Sequence, residues 1–354
     1  MRAMATLLLA MAVTGCVPQA DETDEVDTDA DADTDPQSYE LRDVAVGERH
    51  SCAVTTDWQT VCWGDDSLGQ ASPPSVYDLG SIQAGIDFTC AGHEGGARCW
   101  GSSEYGQTDG TGREASMADV GGHHACAWSR GELSCWGRND QGQIDVPQVD
   151  GKINGEQYQQ VVLGANHSCG LLHDGGVECW GDDRDGCVSA VPAEAFVSIT
   201  AGADHNCGVT TLGTTLCWGS DAEGQSSPPS TGYTQLDAGN QFTCGIDDKG
   251  KVDCWGLGTD GQTSPPADHH FSSVDTSING AHACATYRDD DEAMRVSCWG
   301  LNDAGQTDLP RDARARLAEA TKHRTALRHH PGRSSDRLDC LHRLGCPLGL
   351  PHVS

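Results

Sequence analysis

Fourteen of the 18 cysteines stand in seven pairs, and the second member of every pair opens a Cys-Trp-Gly triplet. The pairs are Cys52 and Cys62, Cys90 and Cys99, Cys126 and Cys135, Cys169 and Cys179, Cys207 and Cys217, Cys244 and Cys254, and Cys284 and Cys298. Two residues before the first cysteine stands His in five units (His50, His124, His167, His205, His282) and Phe in two (Phe88, Phe242). Thiols, imidazoles and indoles at fixed spacing admit three kinds of chemistry: zinc coordination, disulfide formation, and stacking on a ligand. Zinc wants four ligands, whereas each unit offers at most three, no fourth recurs, and Phe replaces His in units two and six while both cysteines remain. No metal is therefore expected, and the histidines read as packed or turn-bonding. The triplet tryptophans recur at one position, which favours a packing layer between units over binding platforms. Trp58 and Trp128 break the pattern, in or beside the hairpin turns of units one and three, and are the candidates for exposed contacts. No nucleophile stands at a recognisable spacing from a base, so the reading is not an enzyme, with no catalytic residue and no cofactor.

The elements that must position these residues follow from their period. Successive triplet tryptophans lie 37, 36, 44, 38, 37 and 44 residues apart, the mark of one supersecondary unit repeated in an array. Each unit runs from an apolar stretch such as 196–201 through Gly (Gly202 in that unit) to the segment with the first Cys, then a turn rich in Asp and Gly, then Cys-Trp-Gly. A four-residue spacer and Gly-Gln follow, except for Gly186-Cys187 in unit four; unit seven has Asn279 where the others carry the earlier Gly. Short segments punctuated by Gly, Asp and Pro predict an all-β array, a propeller or a solenoid. Two strands joined by a short turn bring paired cysteines opposite each other at a separation a disulfide spans. Seven bridges are expected, each within its own unit.

The run Ala201-Gly202, His205, Cys207, Cys217-Trp218-Gly219 and Gly224-Gln225, recurring seven times, resembles the regulator of chromosome condensation repeat family, most closely its secreted, cysteine-rich bacterial members. The resemblance covers roughly residues 39 to 310. It implies a seven-bladed β-propeller, four strands per blade, closed into a ring. Cys187, the shifted Gly280 and the long acidic hairpin Arg288 to Arg295 depart from the pattern. The eukaryotic founder is a nuclear nucleotide-exchange factor for a small GTPase, and secreted bacterial relatives include propellers that bind and inhibit β-lactamases; a shared fold does not carry either function over.

Charge and the chain ends narrow the class. The chain has 53 Asp and Glu against 22 Lys and Arg, a net −31, so nucleic acid is excluded as a partner by charge. Paired cysteines point to an oxidising compartment. Residues 1–15 form an apolar leader ending in Val13-Thr-Gly-Cys16, which resembles the lipobox of bacterial lipoproteins and implies lipid on Cys16. Residues 16–38 read as the lipidated Cys and an acidic disordered tether, 39–310 as the propeller, and 311–354 as a basic tail. That tail, with Cys340 and Cys346, fits two accounts: a segment that docks on the acidic ring or on anionic lipid, or the disordered product of a frameshift. The expected function is a non-enzymatic cell-envelope lipoprotein, monomeric and anchored at the outer membrane or cell surface, whose propeller binds a protein or glycan. The alternatives are an exported lyase or hydrolase with an axial site, and a purely structural envelope protein.

Overall fold

The computed structural model describes residues 41–75, 79–93, 96–110, 116–129, 132–148 and 157–310, with backbone only at 116–118 and 129. The leader, Cys16, the tether and the tail with Cys340 and Cys346 lie outside the described residues.

Each sequence unit is one three-stranded antiparallel sheet, and seven such sheets are present. In blade 1 the inner strand is Leu41–Val46, the middle strand His50–Thr55 and the outer strand Thr60–Gly64. The inner strands of blades 2 to 7 are Ile82–Ala84, Ser116–Val120, Tyr158–Leu163, Phe196–Ala201, Tyr233–Ala238 and Phe271–Thr276. Blade 7 closes on blade 1: the Val46 N–H donates to Asp275 Oδ2 at 2.6 Å, and Leu41, Val44 and Trp63 share a core with Cys284 and Val296. The molecule is an all-β, seven-bladed propeller with one disulfide per blade, as expected.

The core lies between blades rather than within them. Val162 and Leu171 of blade 4 pack on Phe196, Ile199 and Trp218 of blade 5. A middle strand therefore has neighbours on both faces, and His50–Thr55 is buried throughout. That is why these segments read as runs of small and apolar residues without polar alternation. The paired cysteines sit directly opposite each other, Cys52 against Cys62 and Cys207 against Cys217, with Cα separations of 4.0 to 4.1 Å in all seven bridges.

Two expectations need correction. Blades have three strands, not four: after Gly64 the chain coils into consecutive turns, with Gly69 N–H bonded to Asp66 O and Ser72 N–H to Gly69 O. These turns bond across to the next blade, and among the described residues no strand runs along the outer edge. In blade 7 the residue that replaces the repeated Gly is Ser277, not Asn279. The Ser277 N–H bonds His282 O as Gly47 N–H bonds His50 O, and two extra residues follow it.

Candidate interaction face and axial chamber

The histidines occupy the blade interfaces. His205 Nε2 lies 2.8 Å from Thr243 Oγ1 of blade 6, and that hydroxyl donates to the Gln225 carbonyl at 3.0 Å. With its proton committed to Gln225, the hydroxyl oxygen accepts from His205, which fixes the imidazole as the neutral Nε2–H tautomer. The same geometry links His50 to Thr89, His124 to Ser168, His167 to Asn206 and His282 to Ser51. Each accepting group also donates to the last carbonyl of the preceding blade's turn: Gln70, Gln143, Cys187 and Gln306 respectively. In the two blades that carry Phe, the facing residue is Ala: Phe88 is followed by Ala125, and Phe242 by Ala283. All seven interfaces thus obey one pairing rule, an imidazole with a hydrogen-bonding side chain or a phenyl with a methyl. The signal was present in the sequence as a correlation between one unit and the next.

Burial drives the pKa of His50 down to about 4 and those of His124, His205 and His282 to about 3; that of His167 is lowered as well. In blades 1, 3, 4 and 5 the ring packs against the preceding glycine, and a Cβ at Gly202 would run into both the His205 ring and the Gly239 carbonyl. The same carbonyls receive the triplet tryptophans. In every blade the indole Nε1–H donates at 2.8 to 3.1 Å to the Gln, or Cys187, carbonyl of the blade before. His, Cys and Trp are therefore structural: the cysteines are in disulfides, the imidazoles hold the next blade, and the indoles seal the interface. Among the described residues no three His, Cys, Asp or Glu side chains are placed to hold a metal ion.

The inner strands surround an axial chamber of about 370 Å³ lined by Gln, Thr, apolar residues and the carboxyl groups of Asp119, Asp237 and Asp275. These aspartates occupy one register position, each opposite the first Cys of its blade. Each accepts the N–H of the last inner-strand residue of the following blade: Leu163, Thr276 and Val46. An inner edge strand has no neighbour on one side, and these side chains satisfy its free donors. Asp43 and Gln160 do the same one step lower, accepting the N–H of Ile82 and Ile199, while Gln235 donates its Nε2–H to the Val274 carbonyl. Burial raises the pKa of Asp119 to about 7 and of Asp237 to about 6; Asp275 is raised well above its usual value by burial and by the neighbouring carboxyls of Asp237, Asp43 and Asp119.

One end of the ring carries the seven turns that follow the triplets, six of them Gly-Gln and one Gly-Cys. In six of them the Gln side chain turns back and its Oε1 accepts the N–H two residues earlier, at 2.8 to 2.9 Å. The residue so held has a rigid backbone and an outward side chain. Around the ring it is Leu68, Tyr105, Gln141, Glu223, Asp260 and Ala304, of which all but Ala304 are exposed; Asp185 stands exposed at the same position of blade 4 with no Gln to hold it. In blade 4, Cys187 replaces Gln and its buried thiol donates to the Asp182 carbonyl instead. The acidic spacers are partly committed: Asp66, Asp183 and Asp221 accept backbone N–H groups five residues on and close the turn. Trp58 and Trp128 are both half-buried, Trp58 beneath the Arg42 guanidinium at 3.9 Å and Trp128 against the core of Leu133, Tyr158 and Trp180. The exposed aromatic among the described residues is Tyr105, with its ring 5.0 Å from that of His123. An aromatic in the spacer just before Gly-Gln, a position that is polar in most units, was the sequence signal for it.

Four of the seven repeats match the regulator of chromosome condensation (RCC1) repeat. The matched segments are 41–70, 158–187, 196–225 and 233–262, each spanning an inner strand through its turn. The RCC1-type ring is similar to the ectodomain of the receptor kinase CR4 from Physcomitrella patens, with a TM-score of 0.60 at 27% identity over 74% of each chain. It resembles the ectodomain of the Arabidopsis thaliana receptor kinase ACR4 at TM-score 0.57 and 22% identity, over 74% of this chain and 98% of that one. Prp20p of Saccharomyces cerevisiae, whose binding to Gsp1p and histones has been studied, aligns at TM-score 0.56 and 16% identity over 79% and 85%. The last two likenesses speak to the fold. No curated protein matches the chain in sequence. An RCC1-type propeller of this construction is a binding or structural module.

Proposed function

We propose that this chain is an exported, non-enzymatic binding propeller, monomeric, anchored to the cell envelope through lipid on Cys16, that presents its Gly-Gln face to a protein partner. The observation that carries this reading is how the seven copies divide their residues. Positions common to all blades are held in disulfides or inter-blade hydrogen bonds, whereas the outward position before each Gly-Gln differs from blade to blade on a rigid backbone. Such a face is preorganised, and preorganisation lowers the entropic cost of binding. Seven bridges suit an oxidising compartment. A protein is favoured over a glycan because Prp20p, which shares the fold, binds proteins. The three carboxyls that line the axial chamber, Asp119, Asp237 and Asp275, are engaged by backbone N–H groups, which supports a structural use for them.

Two measurements test the proposal. Peptide mapping of protein from its native membrane fraction should find lipid on Cys16; an intact N-terminus would end the lipoprotein reading. In a pull-down from envelope extract, wild type should retain a partner that a variant carrying Leu68→Ser, Tyr105→Ser and Glu223→Lys does not. Equal recovery by both baits would remove the Gly-Gln face from the proposal.

A further inference from the structure

Blades 1 to 7 follow one another along the chain, so every blade interface but one is tied by covalent continuity; among the described residues no segment crosses from blade 7 to blade 1. Apart from its shared core, that seam is held by side chains. Val46 N–H donates to Asp275, Ser51 lies 3.0 Å from His282, the Trp63 indole reaches the Gln306 carbonyl at 2.8 Å, and the exposed Arg49 and Asp303 pair at 3.2 Å. The axial carboxyls are gathered beside it: Asp237, Asp275 and Asp43 stand on the inner strands of blades 6, 7 and 1, with Asp119 on blade 3. The inner strands of blades 2, 4 and 5 offer the chamber Gln83, Gln160 and Thr200, and no Lys, Arg or His lines it; Arg42, which is exposed, acts on Asp43. Across the ladder, Asp119, Asp237 and Asp275 face cysteines that are bridged and do not titrate. Hydrogen bonds are shared unequally. Asp237 accepts three, from the Thr276 N–H at 2.6 Å, the Thr276 hydroxyl at 2.7 Å and the Thr200 hydroxyl at 3.0 Å, whereas Asp275 accepts the Val46 N–H alone among the described residues.

We propose that Asp275 is a proton-held latch on ring closure: it joins blade 7 to blade 1 while protonated, and the seam loosens when it ionises. The donors on Asp237 favour its carboxylate, so that group ionises first and Asp275 is the carboxyl that keeps its proton. Ionising Asp275 as well strengthens its one N–H bond, but it adds a like charge to a chamber that holds no counter-charge, against Asp237, Asp43 and Asp119. Burial and those neighbours raise Asp275 well above the usual 3.8. Its contribution is therefore fully present below pH ~3.8 and lost as pH rises through its folded value. The interface histidines are neutral above pH ~6.5, which leaves the range above that to the axial carboxyls. The strain is relieved at the seam because the chain ties the other interfaces. On the Gly-Gln face the seam runs between Ala304 of blade 7 and Leu68 of blade 1, so the latch keeps the display positions on one rim. It operates whether or not that face has a partner.

Amide hydrogen exchange of the full oxidised chain, corrected for the intrinsic rate at each pH, reads the latch directly. Between pH ~6.5 and pH ~8.5, protection of the peptide carrying Val46 should fall several-fold. Protection of the peptide carrying Ile199, whose N–H is held by the neutral Gln160 between blades 4 and 5, should stay constant. Asp275→Asn keeps an oxygen for the Val46 N–H and cannot ionise, so its seam should be equally protected at both pH values. Asp119→Asn, on blade 3, should leave the wild-type fall in place. Constant protection at Val46 in wild type, an equal fall at Ile199, or a fall that persists in Asp275→Asn would each overturn the proposal. Infrared difference spectra of wild type give a reading that needs no variant. A carboxylic-acid C=O band present at pH ~6.5 should bleach by pH ~8.5, and absence of that band at pH ~6.5 overturns the latch.

Discussion

The pairing rule at the blade interfaces can be tested by converting one pair into the other. Thr243→Ala removes the acceptor of the His205 Nε2–H and one of the two donors to the Gln225 carbonyl, leaving Trp255 Nε1 as the other. A buried donor left without a partner costs about 1–3 kcal/mol, so this single substitution should destabilise by about 2–3 kcal/mol. His205→Phe removes the donor, keeps the Thr243 bond to Gln225, and places a ring where Phe88 and Phe242 already lie flat on Gly85 and Gly239; about 1 kcal/mol is expected. The double variant reproduces the Phe242 and Ala283 interface, and it should lie within about 1 kcal/mol of wild type, giving a coupling of about 2 kcal/mol. The assay is urea unfolding of the oxidised protein, followed by Trp fluorescence, with midpoints compared at constant slope. Additive costs, or a double variant weaker than Thr243→Ala alone, would refute the claim that each residue's cost depends on the partner facing it.

Four further outcomes follow from the same geometry. The five interface histidines have folded pKa values lowered below 6.5, to about 3 or 4 where a value can be set. Stability is therefore full above pH ~6.5 and lost as pH falls, by about 2 kcal/mol at pH ~5 for each of His50, His124, His205 and His282 and in the same direction for His167. Asp119 and Asp237, raised to about 7 and 6, act oppositely and offset part of that loss; urea midpoints that rise between pH ~6 and ~5 would contradict the histidine assignment. Cys187→Gln should supply the Oε1 acceptor that the Asp185 N–H lacks and stabilise by about 1 kcal/mol, read as an increased thermal midpoint. Burial pushes the native Cys187 thiol up to about 12, so in wild type it should resist alkylation until the ring is unfolded. Replacing Cys207 and Cys217 by Ala opens a bridge with a sequence separation of 10 and should cost about 3 kcal/mol in the chain-entropy model; a loss below 1 kcal/mol would mean that inter-blade packing alone holds the hairpin.

The architecture was legible because it is written seven times. Repetition of Cys-Trp-Gly with its upstream Cys requires equivalent units, and the short turn between the two cysteines forces them onto facing strands, so the bridges follow from local geometry. The role of the acidic spacers was not legible for a local reason: Asp66 accepts the N–H five residues on and Asp65 the N–H two residues on, and neither is distinguishable in sequence from an Asp offered to solvent. Trp58 and Trp128 looked exposed because they lie near turns, yet a large ring beside a turn still buries itself on whatever its neighbours offer, Arg42 in one case and the blade 4 core in the other.

By itself the sequence determined the repeat, its boundaries, the strand and turn order within a unit, and the disulfide partners, all of which depend on residues close together in the chain. Only the tertiary structure decided what lies between units: that His meets Ser, Thr or Asn and Phe meets Ala, that three aspartates face one axis, and that seven outward positions share one rim. Those contacts join residues roughly 40 positions apart, and ring closure joins Ser51 to His282 across 231. No local periodicity encodes such a meeting; it exists only once identical blades are stacked around a closed circle.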